Sequence, residues 1–121
     1  MTAHNRIYQM AFIVEDLDIA MVRWTAMAGA GPWFVMPHFT FLEPKLRGRE
    51  AAPDISIALA YSGDVMLELI RCESIAPSVF TELPPAKSSL HHVAQLTGDF
   101  DATISNFAKN GADAVFTARF T

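Results

Sequence analysis

The sequence predicts an α+β protein in which a strand, helix, strand, strand, strand order is followed by a second strand, helix, strand. Three observations carry that prediction. Shifting the chain by 83 positions lays Gln9 under His92, Met10 under Val93, Ala11 under Ala94, Asp16 under Asp99 and Asp18 under Asp101, so the chain reads as internally duplicated. Each copy opens on an apolar run of strand length and continues into a stripe of helical period. Between the copies, Ser62-Gly63-Asp64 separates two apolar runs with the turn chemistry of a tight hairpin.

Ile7 to Val14 is the first strand, with Ile7, Gln9, Ala11 and Ile13 sharing a face by alternation. Asp16 is a candidate N-cap for a helix carrying Leu17, Met21, Trp24 and Met27 or Ala28 on one stripe, stopped by Gly29 and Gly31-Pro32. Pro32 to Met36 resumes an extended pattern, and the polar stretch from Pro37 to Pro53 reads as the longest loop, its Lys45, Arg47, Arg49 and Glu50 facing solvent. Ile55–Tyr61 and Val65–Arg71 form the hairpin strands. Ser74 to Ser89, with Pro77, Pro84 and Pro85, is expected to connect the halves. In the second half His91 to Thr97 repeats the first strand, with Leu90, His92, Ala94 and Leu96 expected on one face and His91 on the other. Asp99 repeats the cap, and Phe100, Ile104, Phe107 and Ala108 repeat the stripe before Gly111. Ala114 to Phe120 supplies one more strand. This gives a single domain over 1–121, with a first module at 6–73, a linker at 74–89 and a partial second module at 90–121. A complete second module would need two more strands, roughly 25 residues.

Composition narrows the function. A 121-residue chain that is 51% hydrophobic supports one ordinary core. Nine basic and thirteen acidic residues, with no Lys/Arg cluster, argue against a nucleic-acid partner. No apolar run approaches the roughly 20 residues that cross a bilayer, so no membrane role is expected. The single Cys72 forms no internal disulfide, and Thr-Ala-His-Asn-Arg after Met1 lacks a signal-peptide core, so a cytoplasmic location is expected.

Three polar residues stand among apolar same-face neighbours: Gln9 between Ile7 and Ala11, Glu68 between Met66 and Ile70, and His92 between Leu90 and Ala94. A carboxylate in such surroundings costs several kcal/mol, on the order of the penalty measured for buried ions, unless it is compensated, and a divalent cation compensates it well. Imidazole nitrogen with carboxylate and amide oxygens suits Zn, Ni, Fe, Mn or Co. Taken singly, each residue has an ordinary reading: a satisfied amide, a solvated edge carboxylate, a packed histidine. The repeat links them, since Gln9 and His92 occupy equivalent positions. Trp33, Phe34, His38 and Tyr61 are candidates for a substrate pocket, against core packing or plain exposure.

Gln9-Met10-Ala11-Phe12-Ile13-Val14-Glu15-Asp16-Leu17-Asp18 with Ala20 and Trp24, Gly29 and Gly31-Pro32-Trp33-Phe34, Glu68 in Val65 to Ile70, and Leu90-His91-His92-Val93-Ala94 together resemble the vicinal oxygen chelate superfamily. That superfamily includes glyoxalase I, methylmalonyl-CoA epimerase, bleomycin-resistance proteins and extradiol dioxygenases. The resemblance implies paired βαβββ modules curling into an open, cup-shaped mixed sheet with helices on its outer face, the second module here lacking its last two strands. It also implies one divalent metal held by Gln9, Glu68 and His92. The family's fourth ligand, usually a Glu on the last strand of module two, is not assignable here. The Gln, Glu, His series is similar to eukaryotic-type glyoxalase I, and Leu-His-His to methylmalonyl-CoA epimerase. Where glyoxalase I binds glutathione through two arginines and an asparagine, this chain has Ile13, Ser88 and Cys72, which argues against glutathione.

The implied activity is that of a metal-dependent lyase, isomerase or epimerase, stabilising an enediolate or enolate of a small carbonyl substrate, with a carboxylate as the catalytic base: Glu68 if it swings off the metal, or a Glu on the strands expected to complete module two. One alternative is a binding protein like the bleomycin-resistance proteins that sequesters a small aromatic ligand. Another is an extradiol dioxygenase, which wants two histidines and a carboxylate on iron. An incomplete second sheet would leave an open strand edge, so either strands are missing from this chain or a second copy covers the gap, and a homodimer is expected.

Overall fold

The structure, a computed structural model, describes residues 6–82 and 89–120. The elements run β1 (Ile7–Ile13), α1 (Leu17–Ala28), β2 (Phe34–Phe39), β3 (Leu42–Leu46), β4 (Arg49–Glu50), β5 (Ile55–Ser62), β6 (Val65–Cys72), β7 (Ser89–Gln95), α2 (Phe100–Lys109) and β8 (Phe116–Arg119). Five strands form an open mixed sheet in the order β2-β5-β6-β1-β7, and β4-β3-β8 make a second, three-stranded sheet. In the main sheet β1 runs parallel to β6 and antiparallel to β7.

Local chemistry sets these elements. Asp16 and Asp99 both cap as the repeat predicts, their side chains accepting from the backbone N–H of Ile19 at 2.9 Å and of Ala102 at 3.0 Å. Gly29 ends α1 in the left-handed conformation, its N–H donating to the carbonyl of Thr25. At the β5–β6 turn Gly63 has φ of 59°, the positive value that the first loop position of a II′ hairpin requires.

Two apolar layers flank the main sheet. Phe12, Val14, Ala58, Ala60, Leu67 and Leu69 face α1, meeting Leu17, Ala20 and Trp24. Ala11, Ile13, Ile55, Ile57 and Ile70 face the other way, toward Phe41, Phe80 and Phe116. The sheet is therefore buried on both sides along the middle of β5, β6 and β1.

The stretch 37–53 is not one irregular loop. β2 continues through Pro37 to Phe39, which is tolerated because β2 is an edge strand and its ladder with β5 shifts register between Met36 and Phe39. Then β3 and β4 form a hairpin around Arg47 and Gly48, both at positive φ, with β8 docked on β3's other side. Charged residues on exposed strands hide the alternation that a half-buried strand displays. In the intended linker, 74–82 lies outside any sheet, Ser89 already belongs to β7, and Pro84, Pro85 and Ser88 lie outside the described residues.

The alternation expected across the two histidines also fails. Ala11 pairs with His92 but the next residue, Phe12, pairs with Leu90, so His91 is the extra residue of a β-bulge. The bulge places Leu90 opposite Phe12 on the α1-facing side, and brings both imidazoles to the other side. A second bulge lies at Tyr8, which the 83-residue shift maps onto His91. The same shift turns the pair Gln9–Ala94 into His92–Ala11 and leaves Met10–Val93 as itself. The β1–β7 ladder thus has a local two-fold axis through Met10 and Val93.

Candidate metal centre

The cross-strand registers align Phe34 of β2, Leu59 of β5, Glu68 of β6, Ala11 of β1 and His92 of β7 in one row. The neighbouring row holds Tyr61, Met66, Gln9 and Ala94. Residues paired in this way project from the same face, so Gln9, Glu68, His92, Phe34 and Tyr61 all stand on the side away from α1. Neighbouring strands are about 4.8 Å apart, which puts two strand spacings between the backbones of Glu68 and His92. Their tips close that distance over Ala11, which is fully buried and ends at Cβ, and His92 Nε2 lies 3.4 Å from Glu68 Oε1.

That separation is informative. It meets the ion-pair distance without making a hydrogen bond between the two groups, and both side chains are substantially shielded, Glu68 at 16% and His92 at 34% exposure. Two donors each ~2.1 Å from a cation at a tetrahedral angle stand ~3.4 Å apart. Gln9 is buried one row away, and among the described residues its amide has one hydrogen bond, donated to the Sδ of Met66 at 3.2 Å, a weak acceptor that leaves the amide oxygen uncommitted. An imidazole nitrogen, a carboxylate and an amide oxygen on one face therefore fit a borderline divalent cation. His, Cys, Asp and Glu alone make no group of three that could hold a metal among the described residues.

The structure adds a residue that alternation assigned to the opposite face. His91 stacks on Phe80 with ring centroids 5.3 Å apart, its Nε2 is 3.0 Å from the carbonyl of Val79, and its Nδ1 is 2.8 Å from Nδ1 of His92. Burial drives its pKa down, opposed in part by the bond to Val79. The bulged Tyr8 has its pKa raised by burial, with contributions from Glu68 and Tyr61. The sequence signal for both is the offset itself, since Tyr8 and His91 are repeat equivalents.

The remaining pocket candidates scatter. Phe34 and Tyr61 share the rows of Glu68 and Gln9 and are solvent-exposed. Trp33 is on the other side, packed against the α1-facing layer with its Nε1 donating to Thr25 Oγ1 at 2.9 Å. His38 lies at the β2 bulge, where its Nδ1 is 2.7 Å from Asp54 Oδ1 and its Nε2 3.7 Å from Glu73 Oε2. The hydrogen bond that its Nδ1 donates to Asp54 raises its pKa. A cavity of about 430 Å³ opens beyond the ends of β1 and β6, lined by Val14, Arg71, Cys72, Glu73, Ile75 and Thr81 among others, and does not include the Glu68–His92 pair.

Comparison with known proteins places the fold. The family described as the Glyoxalase/Bleomycin resistance protein/Dioxygenase superfamily matches residues 8–120. Among solved structures the chain is similar to methylmalonyl-CoA epimerase from Mycobacterium tuberculosis, at 16% identity and a TM-score of 0.57, over 92% of this chain and 67% of that one. It is also similar to a Streptomyces coelicolor methylmalonyl-CoA epimerase variant in complex with 2-nitronate-propionyl-CoA, at 19% identity and a TM-score of 0.53, over 89% of this chain and 73% of that one. At these identities the likeness is one of fold. Comparison with curated proteins finds no match. No helix among the described residues is long and apolar enough to cross a membrane.

Proposed function

The chain belongs to the glyoxalase, bleomycin resistance protein and dioxygenase superfamily, and from that premise we propose that it is a metal-dependent epimerase, isomerase or lyase acting on a small carbonyl compound. The observation that carries this reading is the approach of His92 to Glu68 over Ala11, with buried Gln9 on the same face. Gln9, Glu68 and His92 would hold one Zn, Ni, Fe, Mn or Co ion, leaving positions open for substrate oxygens. When bound, such a cation stabilises the negative charge that grows on a carbonyl oxygen as the neighbouring carbon gives up its proton.

Glu68 would take that proton on swinging off the cation, the other carboxylate for this role being the family's Glu on the last strand of module two. The position of Glu68 on β6 holds it beside the open face where Phe34 and Tyr61 offer an apolar and a hydrogen-bonding contact. His92 and Gln9 keep the site in register because each is fixed by the β1–β7 ladder. The methylmalonyl-CoA epimerases of similar fold favour an acyl-CoA thioester as one substrate class to test, alongside 2-oxoaldehydes.

The test is solvent-deuterium incorporation at the acidic carbon of acyl-CoA and 2-oxoaldehyde substrates, with and without chelator. Metal-dependent exchange that Glu68→Ala abolishes is expected; binding without exchange, indifferent to chelator, would instead support the second reading. That reading, a binding protein, draws on the exposed Phe34 and Tyr61 in the rows of the site. The dioxygenase reading loses ground, since both ring nitrogens of His91 are engaged and His92 has no second histidine beside it with a free nitrogen among the described residues. Homodimerisation stays part of the proposal: β7 is a sheet edge, and Leu90, Val93 and Leu96 on and beside it are exposed. Sedimentation equilibrium of the full chain is expected to give a dimer, and a monomer would remove this element.

A further inference from the structure

The bulge at His91 does more than interrupt a ladder. It sets two imidazoles with Nδ1 facing Nδ1 at 2.8 Å, a contact that requires one nitrogen to carry a proton and the other to be bare. Which is which follows from the other end of His91. Its Nε2 is 3.0 Å from the carbonyl oxygen of Val79, and a carbonyl can only accept, so the proton of a neutral His91 sits on Nε2 and its Nδ1 is bare. The proton in the shared contact must then belong to Nδ1 of His92. A neutral His92 protonated on Nδ1 has its lone pair on Nε2, the atom 3.4 Å from Glu68 Oε1 and not hydrogen-bonded to it.

We propose that His91 is a positioning residue: through the chain Val79 carbonyl, His91, His92 it fixes His92 as the Nδ1–H tautomer and so presents Nε2, beside Glu68, as the donor atom for a divalent cation. The proposal rests on the functional reading above and specifies how one ligand is prepared. Free imidazoles of histidine favour the opposite tautomer modestly, so without a partner His92 would present its Nε2 protonated for most of the time. Orientation by a second residue of this kind is worth roughly 10–100-fold in metal affinity where it has been removed from other sites. His91 itself is held by two contacts that do not involve the metal site, the stack on Phe80 and the bond to Val79, both from the segment that follows β6. The arrangement is therefore complete before any cation arrives.

The experiment uses the full chain. Long-range proton–nitrogen correlation spectra of the metal-free wild type at mildly alkaline pH report each tautomer directly; His92 protonated on Nδ1 and His91 on Nε2 is expected. Zinc titration by calorimetry follows on wild type, His91→Phe and His91→Asn. Phenylalanine keeps the stack but accepts no hydrogen bond, and a zinc affinity at least tenfold weaker is expected, with His92 shifting toward the Nε2–H form. Asparagine, whose Oδ1 can stand in for Nδ1 as acceptor, is expected to recover part of the loss. His92 protonated on Nε2 in wild type, or unchanged zinc affinity in His91→Phe, overturns this proposal while leaving the functional reading intact. A wild type that binds neither zinc nor Co(II), Ni(II), Mn(II) or Fe(II) overturns the functional reading and this proposal together.

Discussion

Ala11 is the residue whose substitution tests the site geometry most sharply. It pairs with Glu68 on one side and His92 on the other, has no exposed surface, and stands between them in the cross-strand row, beneath their tips. Replacing it by leucine inserts three carbons into a filled layer beside Ile13, Ile57 and Ile70, and overpacking of this kind costs about 1–3 kcal/mol. For a domain of this size that lowers the melting temperature by roughly 4 °C per kcal/mol. The leucine would also stand in the 3.4 Å gap, so metal affinity should fall by more than the stability loss accounts for. Ala11→Gly supplies the control: it weakens the strand by roughly 0.5–1 kcal/mol while leaving the gap open. Calorimetric zinc titration and thermal unfolding of both variants separate the two effects. Leucine is expected to lower the melting temperature and reduce binding to below a tenth of wild type, and glycine to lower only the melting temperature. Equal zinc affinity in wild type and Ala11→Leu, with the variant folded, would refute the placement of the cation between Glu68 and His92.

Three further outcomes test other parts of the structure. His38 should titrate above the ordinary histidine value of 6.5 because Asp54 favours its protonated form, so its contribution to stability is present below 6.5 and fades as pH rises through the raised value. Proton NMR of the imidazole in wild type and Asp54→Asn measures this, and no downward move in the variant would contradict the pairing. Gly63→Ala should destabilise the chain by roughly 1–2 kcal/mol through backbone strain alone, since its positive φ is unfavourable to a side chain and an added Cβ would meet nothing within 4 Å; a melting temperature at or above wild type would argue against the II′ turn. Cys72, whose pKa is raised by burial and then by Glu73, should alkylate more slowly than a small free thiol at the same pH, and mass-spectrometric kinetics showing equal rates would contradict its shielding.

Much of this arrangement is legible in the sequence because the repeat is. The offset that places Gln9 under His92 also maps one bulge onto the other and fixes the axis at Met10 and Val93, so two strands read separately acquire a common frame. Asp16 and Asp99 announce their helices through the chemistry of capping, and Gly63 its turn. What alternation could not supply is the bulge at His91: one inserted residue reverses the facing of Leu90 and brings in a second imidazole, and the hydrogen bond to Val79 and the stack on Phe80 that accompany it join residues a dozen positions apart. The β3–β4 hairpin escaped because Lys45, Arg49 and Glu50 are solvated on strands with little buried face, and the docking of β8 on β3 depends on a non-local pairing. Trp33 and Phe34 are neighbours in one apolar run and so take opposite sides by alternation, but which of them turns toward the row of Glu68 is set by the register of β2 with β5.

Cobalt titration of the metal-free chain, followed by visible absorption, probes the meeting of Gln9, Glu68 and His92 without reference to any substrate. One equivalent of Co(II), with ligand-field bands that Glu68→Ala and His92→Ala each abolish and Gln9→Ala alters, is the expected result. Saturation without such bands, or bands untouched by all three substitutions, would mean that these residues hold no metal.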